Sequence, residues 1–289
     1  MAATKPLRVA MGGSIPFVGR HAELAWLREL LATALDGHPR VALIEGESGV
    51  GKSRLLRELI HGAESDGWQT LWARHDAGHH IPSPMAAAIA AQAVRGRLLT
   101  PEQAAEFDAP PLEPSGHAER LTRLALDLAG RRQLILVVDD LHLAGAAAIA
   151  SFTELVRNLA DRSHHENARI LLIATCHPQL PGDLLEATLT HIKREPIVLG
   201  LTVDGLDEPE TAELLRHAFT ERCAPVVIDA VQRASHGNPL FVLELAANLR
   251  DRDLVVEDPA GLRPRASLGE LVLPHTAPEA IARRLESLP

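Results

Sequence analysis

Eight consecutive residues, Gly46-Glu47-Ser48-Gly49-Val50-Gly51-Lys52-Ser53, have the types and spacing to wrap an anion. The glycines let successive backbone N–H groups turn inward, where a Cβ would obstruct the approach. Lys52 supplies a mobile point charge for the outer phosphates of a nucleoside triphosphate, and the Ser53 hydroxyl can reach a Mg²⁺ ion. Arg54, the next residue, is included in the expected binding set. Val41-Ala42-Leu43-Ile44 ahead of the loop reads as a buried strand, and Arg54 to Ile60 behind it has helical spacing. Strand, loop and helix N-terminus together favour a bound anion, because free amides and the helix dipole converge there. The expected ligand is a nucleoside triphosphate with Mg²⁺.

A second chemical signal lies downstream. Leu134-Ile135-Leu136-Val137-Val138 is an apolar strand that delivers Asp139 and Asp140 at its tip. Asp139 is the expected metal-side acid, and Asp140 the residue that orients or deprotonates an attacking water. The alternative is a strand end finished by ordinary turn aspartates. The 15 histidines suggest a metal test. His75, His79 and His80 cluster, as do His164 and His165, but no structural zinc spacing accompanies them, and surface histidines are the better account. Cys176 and Cys223 lie far apart and form no metal pattern, which suits a reducing cytoplasm.

The elements that must position these residues follow from periodicity. Leu24, Leu27, Leu31 and Leu35 share a helical stripe, so a helix over Arg20–Leu35 precedes the first strand. Further strands are expected at Gln69–Arg74, Leu134–Asp139, Arg169–Thr175 and Pro196–Val203. Helices alternate with them at Met85–Arg95, Ala118–Ala129, Ile149–Ala160 and Leu184–His191. Such alternation predicts a parallel sheet flanked by helices. Thr100–Ser115, acidic and proline-rich, reads as an exposed loop. Asp207 and Glu210 resemble a capping box, with Pro209 in the first turn of a helix to about Phe219. Pro225–Ser235 and Pro239–Arg250 are also helical. The expected organisation is a tail over 1–13, an α/β nucleotide-binding domain over 14–203, a helical lid over 204–253, and a linker with the start of a following domain over 254–289. Within that last part, Glu257–Ser267 reads as linker and Ala277–Leu288 as a short amphipathic helix. The chain has 289 residues with a formal net charge of −9, which argues against a sequence-independent nucleic-acid surface. No stretch has the length and apolarity of a membrane span.

Four motifs occur in order: Phe17-Val18-Gly19-Arg20, the phosphate loop, Val138-Asp139-Asp140-Leu141-His142, and Gly237-Asn238-Pro239-Leu240-Phe241. Together they resemble the STAND class of signal-transduction ATPases within the AAA+ superfamily, above all the ATPase modules of large LuxR-type bacterial transcription regulators. The resemblance spans about Pro16 to Pro289 and implies a P-loop fold with a helical lid. It implies that Phe17, Val18, Gly19 and Arg20 line the adenine pocket and that Pro239 packs on the base or ribose. A helix C-cap followed by a proline-started helix would suit Gly237-Asn238-Pro239 equally well. The resemblance further implies self-association on activation, and DNA contact only through domains absent from this chain.

Two departures bear on catalysis. Asp140 stands where many related ATPases carry Glu, which is compatible with slow hydrolysis. Thr175-Cys176-His177 replaces the family's Thr, aromatic and Arg, so His177 takes the place of a γ-phosphate-sensing Arg with a shorter side chain and a pH-dependent charge. Either His177 senses more weakly, or the protein mainly binds nucleotide. The catalytic candidates are therefore Lys52, Asp140 and His177. A small-molecule kinase on the same architecture is a third reading, but the segment Asp207 to Arg250 does not resemble an arginine-rich kinase lid.

Overall fold

Val41, Ala42, Leu43 and Ile44 are wholly buried, and so is every side chain from Ile135 to Val138 and from Ile170 to Ala174. Continuous apolar runs of this kind belong to strands covered on both faces. The computed structural model describes residues 16–74, 85–108, 116–162, 168–177, 183–219, 222–258 and 261–265. The 1–13 tail, both histidine clusters and the expected helix at Ala277–Leu288 lie outside them.

Five strands, β1 (Arg40–Glu45), β2 (Gln69–Arg74), β3 (Leu134–Asp139), β4 (Ile170–Cys176) and β5 (Val198–Thr202), form one parallel sheet in the order β2-β3-β4-β1-β5. Between them run α1 (His21–Leu35, ahead of β1), α2 (Lys52–Ser65), α3 (Met85–Arg95), α4 (Pro101–Asp108), α5 (Gly116–Arg131), α6 (Ala146–Arg162) and α7 (Asp183–Ile192). The chain order reverses at β1, since β2 lies beyond β4 and β3 on one side and β5 adjoins it on the other. In open α/β sheets, ligands bind at the carboxyl end of such a strand. The phosphate loop begins there.

The core of this sheet unit gathers Leu121, Leu124, Leu136, Phe152, Leu155 and Leu172, among others. At the β2 edge, Gln92 of α3 accepts from the Trp72 N–H at 2.8 Å and donates to the Trp72 carbonyl. Its primary amide gives Trp72 the pair of outer hydrogen bonds that a neighbouring peptide would, which blunts the edge at that residue.

The loop expected over Thr100–Ser115 is in part a helix. Thr100 and Gln103 form a reciprocal cap, Thr100 N–H to Gln103 Oε1 at 3.0 Å and Gln103 N–H to Thr100 Oγ1 at 3.3 Å, with Pro101 at the first helical position. Behind this cap α4 buries Ala104 and Phe107 in the core. Hydrogen bonds from the Glu102 amide and the Thr100 hydroxyl hold the Glu102 carboxyl below its ordinary range.

The chain divides into two compact units that interleave in sequence. The sheet unit comprises 21–46 and 55–202. The helical unit comprises the phosphate-loop residues 47–54, the described residues before 21 and those from 203 onward. It contains α8 (Glu208–Phe219), α9 (Pro225–Ser235) and α10 (Pro239–Asp251), around a core of Leu215, Phe219, Val231, Val242, Leu245 and Leu249. The capping box at α8 forms as its residue types suggest, Asp207 N–H to Glu210 Oε2 at 3.0 Å and Glu210 N–H to Asp207 Oδ1 at 2.8 Å.

Two further features stand out here. Within the segment expected as linker, β6 (Val255–Asp258) and β7 (Gly261–Pro264) pair as an antiparallel hairpin. Leu262 pins it to the start of α9, its N–H donating to the Arg222 carbonyl at 2.7 Å and its carbonyl accepting from Ala224 N–H at 2.8 Å. Secondly, Gly205 and Gly237 mark a tight crossing of two backbone segments. The Leu206 N–H donates to the Gly237 carbonyl at 2.8 Å. A Cβ on Gly205 would stand 2.0 Å from the His236 carbonyl oxygen, and one on Gly237 2.0 Å from that of Leu206. Only glycines permit this approach.

Candidate functional site

The phosphate loop keeps the turned-in geometry that its residue types require. Gly49 and Gly51 have φ of 82° and 106°, values that side-chain-bearing residues rarely adopt. Val50 N–H closes a turn on the Glu47 carbonyl at 3.3 Å, and Arg54 N–H starts the helix on the Gly51 carbonyl at 3.0 Å. Lys52, the first residue of α2, is buried, and its Nζ donates to the Glu47 carbonyl at 2.9 Å. The ammonium is thus held within the loop, where a polyphosphate would meet it. Glu47, Ser48 and Gly49 are exposed, and Ser53 is half-buried at the first turn of α2. This donor set of one buried ammonium and a run of backbone amides fits a polyphosphate.

The segment before α1 packs within the helical unit. Val18 belongs to the core of the helical unit. Gly19 and Arg20 are both left-handed, with φ of 66° and 62°. Arg20 is buried, and its Nη2 donates to the Val50 carbonyl at 3.3 Å and also to the Asp204 carbonyl. Phe17 is half-buried.

The Gly237-Asn238-Pro239 motif takes the cap geometry. His236 and Gly237 end α9 in the left-handed region, Asn238 is the N-cap of α10, and Pro239 opens that helix. Asn238 Oδ1 accepts from Leu240 N–H at 3.1 Å while its Nδ2 donates to the Ser48 carbonyl at 2.9 Å. The sequence reading singled out Pro239 and passed over Asn238. An Asn directly before a helix-opening Pro is itself an N-cap signal, so a buried amide was there to be found.

In the sheet unit, the tips of β3 and β4 join through a hydroxyl. Thr175 Oγ1, fully buried, donates to Asp139 Oδ1 at 2.7 Å and accepts from the Asp140 N–H at 2.9 Å. Asp139 is 1% exposed, and this bond fixes which way one of its oxygens faces. Asp140 is left-handed, with φ of 57° and ψ of 49°, and leads into a short 3₁₀ turn, Leu141–Leu143. That turn brings His142 back, with Nδ1 4.0 Å from Asp140 Oδ1. The His142 ring lies 6.2 Å from that of His177, which follows β4 directly. Asp140, His142 and His177 therefore share one end of the sheet unit, and His142 was not among the catalytic candidates. The start of the loop is tied to the same strand end, Gly46 N–H to the Cys176 carbonyl at 3.2 Å.

Among the described residues, no group of three or more His, Cys, Asp or Glu side chains is placed to hold a metal ion. No described helix is long and apolar enough to cross a membrane. Arg157 is engaged with Glu154 and His191. An open cavity of ≈ 700 Å³ beside Arg57, Trp72 and Gln92 includes none of the residues nominated from sequence.

Comparison with known proteins gives three kinds of likeness. An uncharacterized protein of Rhizobium meliloti (strain 1021) is 26% identical over 272 residues, covering 81% of this chain. The chain spans about a quarter of that relative's length (25%). The Aeropyrum pernix ORC1 protein, solved in complex with DNA, superposes with a TM-score of 0.54 at 20% identity, over 96% of this chain and 68% of that one. The Walker-type ATPase PABY2304 of Pyrococcus abyssi does so with a TM-score of 0.52 at 16% identity, over 84% of this chain and 71% of that one. At these identities the two structures speak to fold alone, and the fold they share is that of P-loop ATPases. Residues 16–173, more than half of the chain, match the AAA ATPase domain, and the chain belongs to that family.

Proposed function

We propose that this chain is a regulatory ATPase module of the STAND class, which binds ATP or ADP with Mg²⁺ and changes conformation or oligomeric state between the two forms. The observation that carries this reading is the phosphate loop, with Lys52 buried and held 2.9 Å from the Glu47 carbonyl. Bound phosphate oxygens would compete with that carbonyl for the ammonium, and the amides of residues 48–53 would supply the remaining donors. The motifs assign Ser53 and Asp139 to Mg²⁺, which would draw charge from the outer phosphates. Asp140 orients or deprotonates the attacking water. By resemblance, Phe17, Val18, Gly19 and Arg20 line the adenine side and Pro239 packs on the base or ribose, and the whole protein is a bacterial transcription regulator or signalling protein whose output lies in other domains.

Calorimetric titration with Mg·ATP tests the reading. The wild type should bind, and Lys52→Ala should lose high-affinity binding, because it removes the cation that the loop directs at the phosphates. Unchanged affinity in that variant would refute the assignment.

One observation favours a second reading, a nucleotide-binding switch without useful hydrolysis. Asp140 is a short acid with a histidine side chain, 6% exposed, 4.0 Å from its carboxylate, and by resemblance His177 takes the γ-phosphate-sensing place. Single-turnover hydrolysis separates the two. A drop of about a hundredfold or more in Asp140→Asn indicates a working general base. Equal rates in the two proteins favour the switch.

A further inference from the structure

Three carbonyls of the phosphate loop accept from side-chain donors. Lys52 serves Glu47 from within the loop, at 2.9 Å. The other two donors come from elsewhere in the helical unit, Asn238 Nδ2 to the Ser48 carbonyl at 2.9 Å and Arg20 Nη2 to the Val50 carbonyl at 3.3 Å. In a planar trans peptide the carbonyl and the N–H that follows it point in opposite directions. Drawing the Ser48 carbonyl toward Asn238 therefore turns the Gly49 N–H the other way. Drawing the Val50 carbonyl toward Arg20 does the same for the Gly51 N–H. Peptides next to glycine flip at little steric penalty, so these two amides are the ones that an unrestrained loop would lose from its concave side.

Both donors are themselves fixed. Asn238 is 4% exposed, and its amide cannot be reversed, because Oδ1 faces the Leu240 N–H and Nδ2 faces a carbonyl. Its own N–H donates to the Ser235 carbonyl at 3.0 Å. Arg20 is 8% exposed and also donates to the Asp204 carbonyl. The approach of loop to α10 is close: a Cβ on Gly49 would stand 2.7 Å from Leu240 Cβ and 3.0 Å from Asn238 Oδ1.

We propose that Asn238 and Arg20 are positioning residues that hold the Gly49 and Gly51 amides toward a polyphosphate, so that nucleotide affinity depends on how the first turn of α10 sits against the loop. This deepens the ATP-binding reading and rests on it. The pair acts through the loop peptides at the phosphate end, a role apart from the adenine-side place that the resemblance gives Arg20.

Asn238→Ser is the informative variant, because Ser caps a helix about as well as Asn but is too short to donate to the Ser48 carbonyl. Arg20→Lys keeps the charge on a shorter arm, which withdraws the donor that Nη2 offers to both carbonyls. Affinity for ATP is read by calorimetry on variants whose circular dichroism and nucleotide-free melting temperature match the wild type. Each is expected to bind ATP about tenfold more weakly, the scale of one hydrogen bond to a preset group. A capping role alone predicts wild-type affinity in Asn238→Ser, so that result overturns the proposal, as does wild-type affinity in Arg20→Lys. A wild-type chain that binds no ATP at all is a different outcome and overturns the functional reading itself.

Discussion

Thr175 serves both carboxylate-bearing residues at the tip of β3 with a single hydroxyl. It donates to the Asp139 side chain and accepts from the Asp140 backbone, while being wholly buried. Thr175→Val keeps the shape and removes both bonds, leaving a buried carboxylate oxygen and an amide without that partner. A loss of about 1–3 kcal/mol in chemical denaturation is expected, with a fall in any hydrolysis rate and recovery of both in Thr175→Ser. At Gly49, Ala would meet both a positive φ and the Leu240 side chain. Gly49→Ala should destabilise the protein by about 1–3 kcal/mol and weaken ATP binding, whereas an equal change at Gly62, mid-helix with open space, should be stabilising or neutral. Residue types at fixed spacing nominate Lys52, Ser53 and Asp139 from the sequence alone. Asn238 and Thr175 were harder to read, because their partners lie far away in the chain and leave no local spacing to detect.

At the scale of elements, the parallel strands were legible because burial on both faces demands unbroken apolar runs. Helix α4 was not, because two features conflicted. Pro101 and the acidic stretch around it suggested a loop, yet Thr-Pro-Glu-Gln is also a capping box with Pro at the first helical position. The structure resolves the conflict through Phe107, which gives the short helix a buried anchor. Phe107→Ala should therefore destabilise by about 3 kcal/mol in thermal or denaturant unfolding, where a loop residue would be nearly silent. Acid adds a small, directional effect. Since the folded Glu102 carboxyl is held low, its support for α4 is present above the ordinary carboxylate range and is lost as pH falls through the lowered value. Glu102→Gln should flatten that part of the stability profile. The β6–β7 hairpin was missed for a related reason, since prolines and a glycine in the text gave turn signals but not pairing.

At the scale of the whole molecule, the two units interleave, so that the loop following β1 groups with residues about 190 positions later, as in the bond between Ser48 and Asn238. Periodicity in a sequence reports local elements and carries no record of such grouping. Charge, by contrast, is read directly. With a formal net charge of −9, this chain by itself should show no measurable shift of random duplex DNA at 150 mM salt in an electrophoretic assay, because it lacks the excess of cations that would release counterions. The crossing at Gly205 and Gly237 has a consequence for the loop. The Asp204 carbonyl gripped by Arg20 is one residue before it, and Asn238 is one residue after it. Both tethers on the loop thus originate from one welded joint, and anything that prises that joint apart would slacken them together. Gly237→Ala should in consequence imitate the combined loss of Arg20 and Asn238 rather than of either alone.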